Sequence, residues 1–111
     1  MPAQFILKKA KDGQFYFSLT AGNNEKVLAS EMYKAKTGAM NGIESVKKNC
    51  GADARYSKLE SKGKFYFVLK AANNEIIGTS EMYNTEKARD EGIAAVMKAG
   101  AIAQLSDQSA G

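Results

Sequence analysis

The feature that most constrains this chain is an internal repeat with a period of fifty residues. Residues 13–50 and 63–100 align without a gap, and seventeen of the thirty-eight positions are identical. Ser-Glu-Met-Tyr occurs in both copies, at residues 30–33 and again at 80–83. A fixed period indicates a repeated supersecondary unit, and two copies are too few for a solenoid. We therefore predict a single pseudo-symmetric domain over residues 1–111. Repeat one covers residues 4–53, repeat two covers residues 54–105, and residues 106–111 form a flexible tail.

Each copy opens with the pattern of a β-hairpin. Apolar and polar residues alternate over 15–20 and again over 65–70, which is the period of a half-buried strand. Asn23-Asn24 and Asn73-Asn74 follow, and because asparagine tolerates positive φ, these pairs predict tight primed turns. A second short strand after each turn completes the hairpin.

Helical periodicity follows the Ser-Glu-Met-Tyr segment in each copy. Asn84-Thr85-Glu86-Lys87 offers a capping side chain followed by an acid and predicts the start of the second helix, and Gly100 predicts its end. Gly42 and Gly92 lie on an inner line of small residues, so we expect both helices to approach a sheet closely. Residues 37–40 are a weak opening, which predicts that the first helix starts late or frays.

Three further strands are predicted at residues 5–9, 55–60 and 101–105. The element order is then β-β-β-α-β-β-β-α-β. This order predicts an α+β fold with one mainly antiparallel sheet and two helices on one face. The segment at 55–60 ends repeat one and also begins repeat two.

Together the motifs resemble those of the YegP-like proteins, a bacterial family of unknown function. The resemblance covers residues 4 to about 105 and rests on the aromatic strands, the Asn-rich turn, Ser-Glu-x-Tyr and the Gly-Ile-x-x-Val-Lys helix. It implies tandem β(3)-α-β repeats that share one sheet and exchange their C-terminal strands. The family supplies no reaction, cofactor or catalytic residue.

The composition excludes much chemistry. The chain has no histidine and one cysteine, Cys50, which removes histidine-based triads and the usual zinc sites. No phosphate-binding loop is present. We therefore expect no enzyme activity, no cofactor and no metal. Cys50 cannot form an intrachain disulfide, and we find neither a signal peptide nor a membrane span, so a cytoplasmic location is expected.

An open sheet face is one candidate binding surface. Tyr16 and Tyr66 alternate away from the core phenylalanines, and Lys70 shares their side of the strand. The net charge is +4 and the pI about 9.2, which allows attraction to nucleic acid. Bases could stack on these tyrosines, although cross-strand pairing alone also explains exposed strand tyrosines.

The Ser-Glu-Met-Tyr copies are the second candidate. Tyr33 and Tyr83 are interpreted as packing anchors where the hairpin meets the helix, and Glu31 and Glu81 as residues of that junction. The alternative is two equivalent half-sites related by the pseudo-twofold axis.

These observations predict a small non-catalytic binding or interaction module of unknown ligand. Weak nucleic-acid binding on the open sheet face is one alternative, and a structural or self-associating protein is another. The partner is unknown, with a protein and single-stranded nucleic acid as the candidates and no membrane expected. The tandem pseudo-dimer is expected to be a monomer.

Overall fold

The structure, a computed structural model, describes residues 2–109 of the chain. Within them, seven strands and two α-helices follow the predicted order. The strands are β1 Gln4–Lys9, β2 Phe15–Thr20, β3 Lys26–Ala29, β4 Tyr56–Ser61, β5 Lys64–Lys70, β6 Ile76–Thr79 and β7 Gln104–Asp107. The helices are α1 Lys36–Asn49 and α2 Glu86–Ile102, and a single 3₁₀ turn at Asp53–Arg55 precedes β4.

All seven strands form one sheet in the order β4-β5-β6-β3-β2-β1-β7. Neighbouring strands are antiparallel except β1 and β7, which run parallel with Gln4 beside Gln104. β7 belongs to repeat two but pairs with the first strand of repeat one, so the predicted exchange of C-terminal strands is confirmed. The repeats meet at the centre of the sheet, where Ala29 of β3 pairs with Thr79 of β6.

Both helices cover one face of this sheet. α1 contacts β2, β5 and β6, and α2 contacts β2, β3 and β5. The predicted close approach is confirmed, because a Cβ built on Gly42 would lie 2.9 Å from the Phe17 ring, and one on Gly92 3.2 Å from the Phe67 ring. The core between the layers consists of apolar side chains, of which the largest fully buried ones are Phe5, Phe17, Phe67, Leu7, Leu19, Leu28 and Leu69.

The Asn-rich hairpin loops differ from the prediction of primed turns. Asn24 and Asn74 have φ of 68° and 71°, but positive φ is confined to the second asparagine of each pair. The Ala21 amide donates to the Glu25 carbonyl at 2.8 Å, which closes a three-residue loop. Such loops need a left-handed residue only at their last position. Asn23 instead accepts a hydrogen bond from the Glu25 amide at 3.1 Å, the local bonding that favours asparagine in turns.

The helix starts are capped unequally. Thr85 Oγ1 accepts a hydrogen bond from the Ala88 amide at 3.0 Å, so the predicted start of α2 is confirmed. Ala35, the N-cap of α1, offers no side-chain hydrogen bond. The expected late start of α1 is nevertheless wrong, since α1 begins at Lys36, the position equivalent to Glu86. Packing of its inner face against the sheet outweighs the weak opening sequence.

The end of α2 also differs from the prediction. Gly100 does not stop the helix, which continues to Ile102. A Cβ on Gly100 would lie 2.7 Å from the Cys50 sulfur, so glycine is needed there for close packing of the two helices. The last strand therefore begins at Gln104, later than predicted.

The segment predicted as a flexible tail is partly ordered. β7 extends to Asp107, and Ser109 is buried, with its hydroxyl donating to the Asp107 carboxylate at 2.6 Å. Residues 110 and 111, also assigned to that tail, lie outside the described residues.

Candidate binding face

The serine of each Ser-Glu-Met-Tyr segment completes the hydrogen bonding of a strand. Ser30 Oγ accepts from the Phe17 amide at 2.9 Å and donates to the Glu31 carbonyl at 2.7 Å. Ser80 does the same with the Phe67 amide, at 2.9 Å. The hydroxyl thus replaces a main-chain acceptor where the short strand leaves its neighbour, and a buried N–H without such a partner would be costly.

The tyrosine of each segment packs beneath a helix. Tyr33 stacks on Phe17 with ring centroids 6.3 Å apart, and Tyr83 stacks on Phe67 at 6.5 Å. Main-chain hydrogen bonds at 2.7 Å in both directions tie Tyr33 to Phe15. Burial raises the pKa of both tyrosines above its ordinary value, and neighbouring glutamates raise it further. These contacts agree with a role of the two tyrosines in packing.

The glutamate and methionine of each segment remain at the surface. Met32 and Met82 are about half exposed, at 46% and 51%. Glu81 lies 3.9 Å from Lys26, across the centre of the sheet. The position equivalent to Lys26 in repeat two is Ile76, so Glu31 has no matching ion pair among the described residues.

The two Ser-Glu-Met-Tyr segments do not converge on one patch. β3 and β6 run antiparallel through Ala29 and Thr79, so the segments that follow them leave the centre in opposite directions. Glu75 of repeat two raises the pKa of Tyr33, and Glu25 of repeat one raises the pKa of Tyr83. Each segment therefore lies beside the hairpin loop of the other repeat.

The sheet face opposite the helices forms a second surface, which we name the open face. Side chains alternate between the two faces of a strand, and Tyr16 and Tyr66 alternate with the buried Phe17 and Phe67. Small side chains from the four central strands cross the middle of the open face in one row: Ser18, Ala29, Thr79 and Val68.

Lysines flank the tyrosines on the open face. Lys8 pairs with Tyr16 across β1 and β2, and Lys26 pairs with Thr20. Among these cations, the sequence pattern alone indicates only Lys70. The open-face positions of the strands in residues 2–109 hold four lysines and no carboxylate; the lysines are Lys8, Lys26, Lys64 and Lys70. Strand pairing was the missing information, because it decides which alternate residues share a face.

The two open-face tyrosines lie far apart. β2 and β5 are separated by β3 and β6, so Tyr16 and Tyr66 are three strand spacings apart, which is about 14 Å across the sheet before their offset along the strands is added. They also lie on opposite sides of the central row, because the pseudo-twofold axis relates them. A ligand must therefore be extended to contact both.

Two other polar side chains belong to the interior. Cys50 is a buried free thiol, and burial raises its pKa. The Tyr56 hydroxyl donates to the Cys50 carbonyl at 2.6 Å, and burial raises the pKa of Tyr56 far above its usual value. Neither group is poised as a nucleophile.

The described part of the chain holds no group of three or more acids or cysteines that could bind a metal ion. None of its helices is both long enough and apolar enough to span a membrane.

The fold and this surface define a tandem-repeat α+β protein, and comparison with known proteins identifies its family. A family model described as a domain of unknown function (DUF1508) matches residues 10–57 and again residues 60–107. The chain therefore belongs to this YegP-like family, whose function is unknown, and the resemblance seen in the sequence is confirmed.

Solved structures share the whole fold. A solution NMR structure of a protein of unknown function, yegP from E. coli, matches with a TM-score of 0.94 and 46% identity, covering 100% of this chain and 97% of that one. A UPF0339 protein from Shewanella oneidensis matches with a TM-score of 0.92 and 50% identity, covering 98% and 93%.

Sequence relatives match over one repeat-sized segment. A UPF0339 protein of Pseudomonas aeruginosa is 59% identical over 56 residues, which are 50% of this chain and 51% of the relative. One from Acinetobacter baylyi is 53% identical over 62 residues, 56% of each chain. The matched segment thus spans about half the length of these curated relatives.

Proposed function

We propose that this protein is a non-catalytic binding module whose ligand lies on the open face of the sheet. The observation that carries the proposal is the composition of that face, where four lysines and two tyrosines occupy the strand positions and no carboxylate does. Lys26 is paired at 3.9 Å with Glu81, which follows β6 rather than lying on a strand. These side chains have no part in the core, so the fold alone does not require this chemistry.

Single-stranded nucleic acid is the ligand class that this composition favours. Lysine ammonium groups attract phosphates without reading sequence, and tyrosine rings offer stacking platforms for bases. Tyr16 and Tyr66 are only partly buried, so part of each ring is accessible. Their separation suits an extended oligonucleotide that crosses the face diagonally. It would contact Lys8 beside Tyr16 and either Lys64 or Lys70, which lie on β5 with Tyr66.

A protein partner is the second candidate, and the repeat-two half of the open face favours it. Leu59 pairs with Tyr66, and Ile76 pairs with Lys70. Leu59 and Ile76 are 38% and 42% exposed, which makes this half more apolar than the half around Lys26. Aromatic and apolar side chains near charges are typical of protein interfaces.

The non-catalytic part of the proposal rests on the absence of an activated group. The sequence has no histidine, and the Cys50 thiol is buried with a raised pKa. Since a free, buried thiol is typical of a reducing compartment, we place the protein in the cytoplasm.

Fluorescence anisotropy with labelled single-stranded oligonucleotides tests the proposal. We expect binding at low salt that weakens steeply as salt rises, and a large loss of affinity for Tyr16→Ala with Tyr66→Ala. Lys8→Gln with Lys70→Gln should reduce the salt dependence of binding. Lys87→Gln, on the exposed face of α2, is the control and should leave it unchanged. Saturable binding of a protein from lysate that survives nuclease and requires Leu59 would favour the second candidate. Oligonucleotide binding that ignores all open-face variants would contradict the proposal.

A further inference from the structure

The two edges of the sheet are unequal. β7 covers β1 and is the edge strand at that end, whereas β4, the equivalent of β1 in repeat two, is itself the edge strand at the other end. Leu7 and Lys58 hold equivalent inward positions, opposite Phe17 and Phe67 respectively. Leu7 is fully buried, but Lys58 is exposed. Repeat two therefore presents a charged, uncovered strand where repeat one presents a covered, apolar one.

The backbone of β4 is available for pairing at two positions. Lys62 and Gly63 form the turn to β5 with φ of 51° and 79°, which is the type I′ geometry that closes a hydrogen-bonded pair between Ser61 and Lys64. Alternate residues of an antiparallel strand direct their N–H and C=O to the same neighbour. The backbone groups of Lys58 and Glu60 therefore point towards the free edge.

The sequence of β4 is self-complementary when it is reversed. Residues 57–61 read Ser-Lys-Leu-Glu-Ser. If two such strands run antiparallel with Leu59 opposite Leu59, each Lys58 lies opposite a Glu60 and each serine opposite a serine. In this register the residues with free backbone groups are also the residues with opposite charges.

We propose that β4 pairs antiparallel with β4 of a second copy of this chain, in the register centred on Leu59. The interface is isologous, as expected for a twofold dimer, and it joins the two sheets into one. It uses the edge of the sheet and leaves Tyr16, Tyr66 and the open-face lysines accessible, so it is independent of the proposed nucleic-acid ligand.

The charges of Lys58 and Glu60 explain why a second copy of β4 fits this edge better than an arbitrary strand does. Charged residues that point inward on an edge strand normally prevent pairing, because a generic partner leaves them unmatched. Lys58 already lies 3.3 Å from Asp90 on α2, while Glu60 forms no ion pair among the described residues. A second β4 supplies the missing cation for Glu60. The contact is short, so we expect a weak, reversible dimer rather than an obligate one.

Sedimentation equilibrium of the full chain over about 10 µM to about 1 mM tests the proposal. The wild type should show a concentration-dependent monomer–dimer equilibrium. Glu60→Lys places lysine opposite lysine, and Lys58→Glu places glutamate opposite glutamate, so each variant alone should dimerise at least about tenfold more weakly. An equimolar mixture of the two restores both opposite-charge pairs, so it should form a heterodimer. Circular dichroism confirms that each variant is folded.

Glu44→Lys, an equal charge change on the exposed face of α1, is the matched control and should dimerise like the wild type. A wild type that stays monomeric to about 1 mM overturns the proposal. So does dimerisation that neither β4 variant weakens, and so does a mixture of the two variants that remains monomeric.

Discussion

The hydroxyl of Tyr33 occupies the space in which a side chain on Gly42 would begin, because a Cβ there would lie 2.5 Å from that oxygen. Tyr83 and Gly92 have the same relationship in repeat two. The last residue of each Ser-Glu-Met-Tyr segment and the central glycine of each helix are therefore one packing unit, which explains why the repeat preserves both.

This relationship predicts that Gly42→Ala destabilises the protein. Alanine favours a helix over glycine by about 1 kcal/mol, but here the added methyl would overlap Tyr33 and Phe17, and overpacking a core costs about 1–3 kcal/mol. We expect a lower urea midpoint. Gly51→Ala, whose Cβ would meet nothing within 4 Å, is the control. A Gly42→Ala variant as stable as the wild type would show that α1 can move away from the sheet without loss of stability.

Substitutions within the Ser-Glu-Met-Tyr segment should differ in their effect on the protein's free energy of unfolding. Ser80→Ala leaves the buried Phe67 amide without its acceptor, which costs about 1–3 kcal/mol. Glu81→Gln removes only a long, exposed ion pair to Lys26, so we expect a change within about 0.5 kcal/mol. A large loss from Glu81→Gln with none from Ser80→Ala would reverse this assignment.

Much of the fold could be predicted because the repeat and the strand alternation are local patterns. The element order, the single sheet and the close helix packing all follow from residues such as Phe17, Gly42 and Thr85. Gly100 has the sequence pattern of a helix stop, and that prediction is wrong because its close approach to the Cys50 sulfur joins residues fifty apart. A glycine that ends a helix and one that admits a neighbouring helix look alike in sequence.

The candidate site was less predictable for a related reason. Tyr16 and Tyr66 could be placed on the open face from alternation alone. Lys26 could not, because the register of β2 and β3 shifts between Leu19 and Thr20. That irregularity sets Lys26, rather than Val27, opposite Thr20, and no local pattern in the sequence marks it.

The unequal helix caps predict that α1 can be stabilised. Ala35 has the extended backbone of an N-cap, with φ −126° and ψ 149°, yet no side chain to accept a hydrogen bond. Ala35→Thr copies the cap that Thr85 provides for α2 and should raise the free energy of unfolding by about 0.5–1 kcal/mol. Thr85→Ala should lower it by about 1 kcal/mol. Thermal unfolding measures both, and Ala35→Val, β-branched but without a hydroxyl, separates capping from shape.

The exchanged strand β7 should become less stabilising in acid. Lys36 at the start of α1 lies 2.5 Å from Asp107 of β7 and, with Ser109, holds the pKa of that carboxyl well below its usual value near 3.8. The folded state therefore favours the ionised form, so its contribution is present above that value and is lost as the pH falls below it. Asp107→Asn should lower the urea midpoint at pH about 6, and the difference from the wild type should shrink at pH about 3. Glu91→Gln, an acid-to-amide change on the exposed face of α2, is the matched control. A difference for Asp107→Asn that stays constant between the two pH values would mean that the ion pair does not help to hold β7 on the sheet.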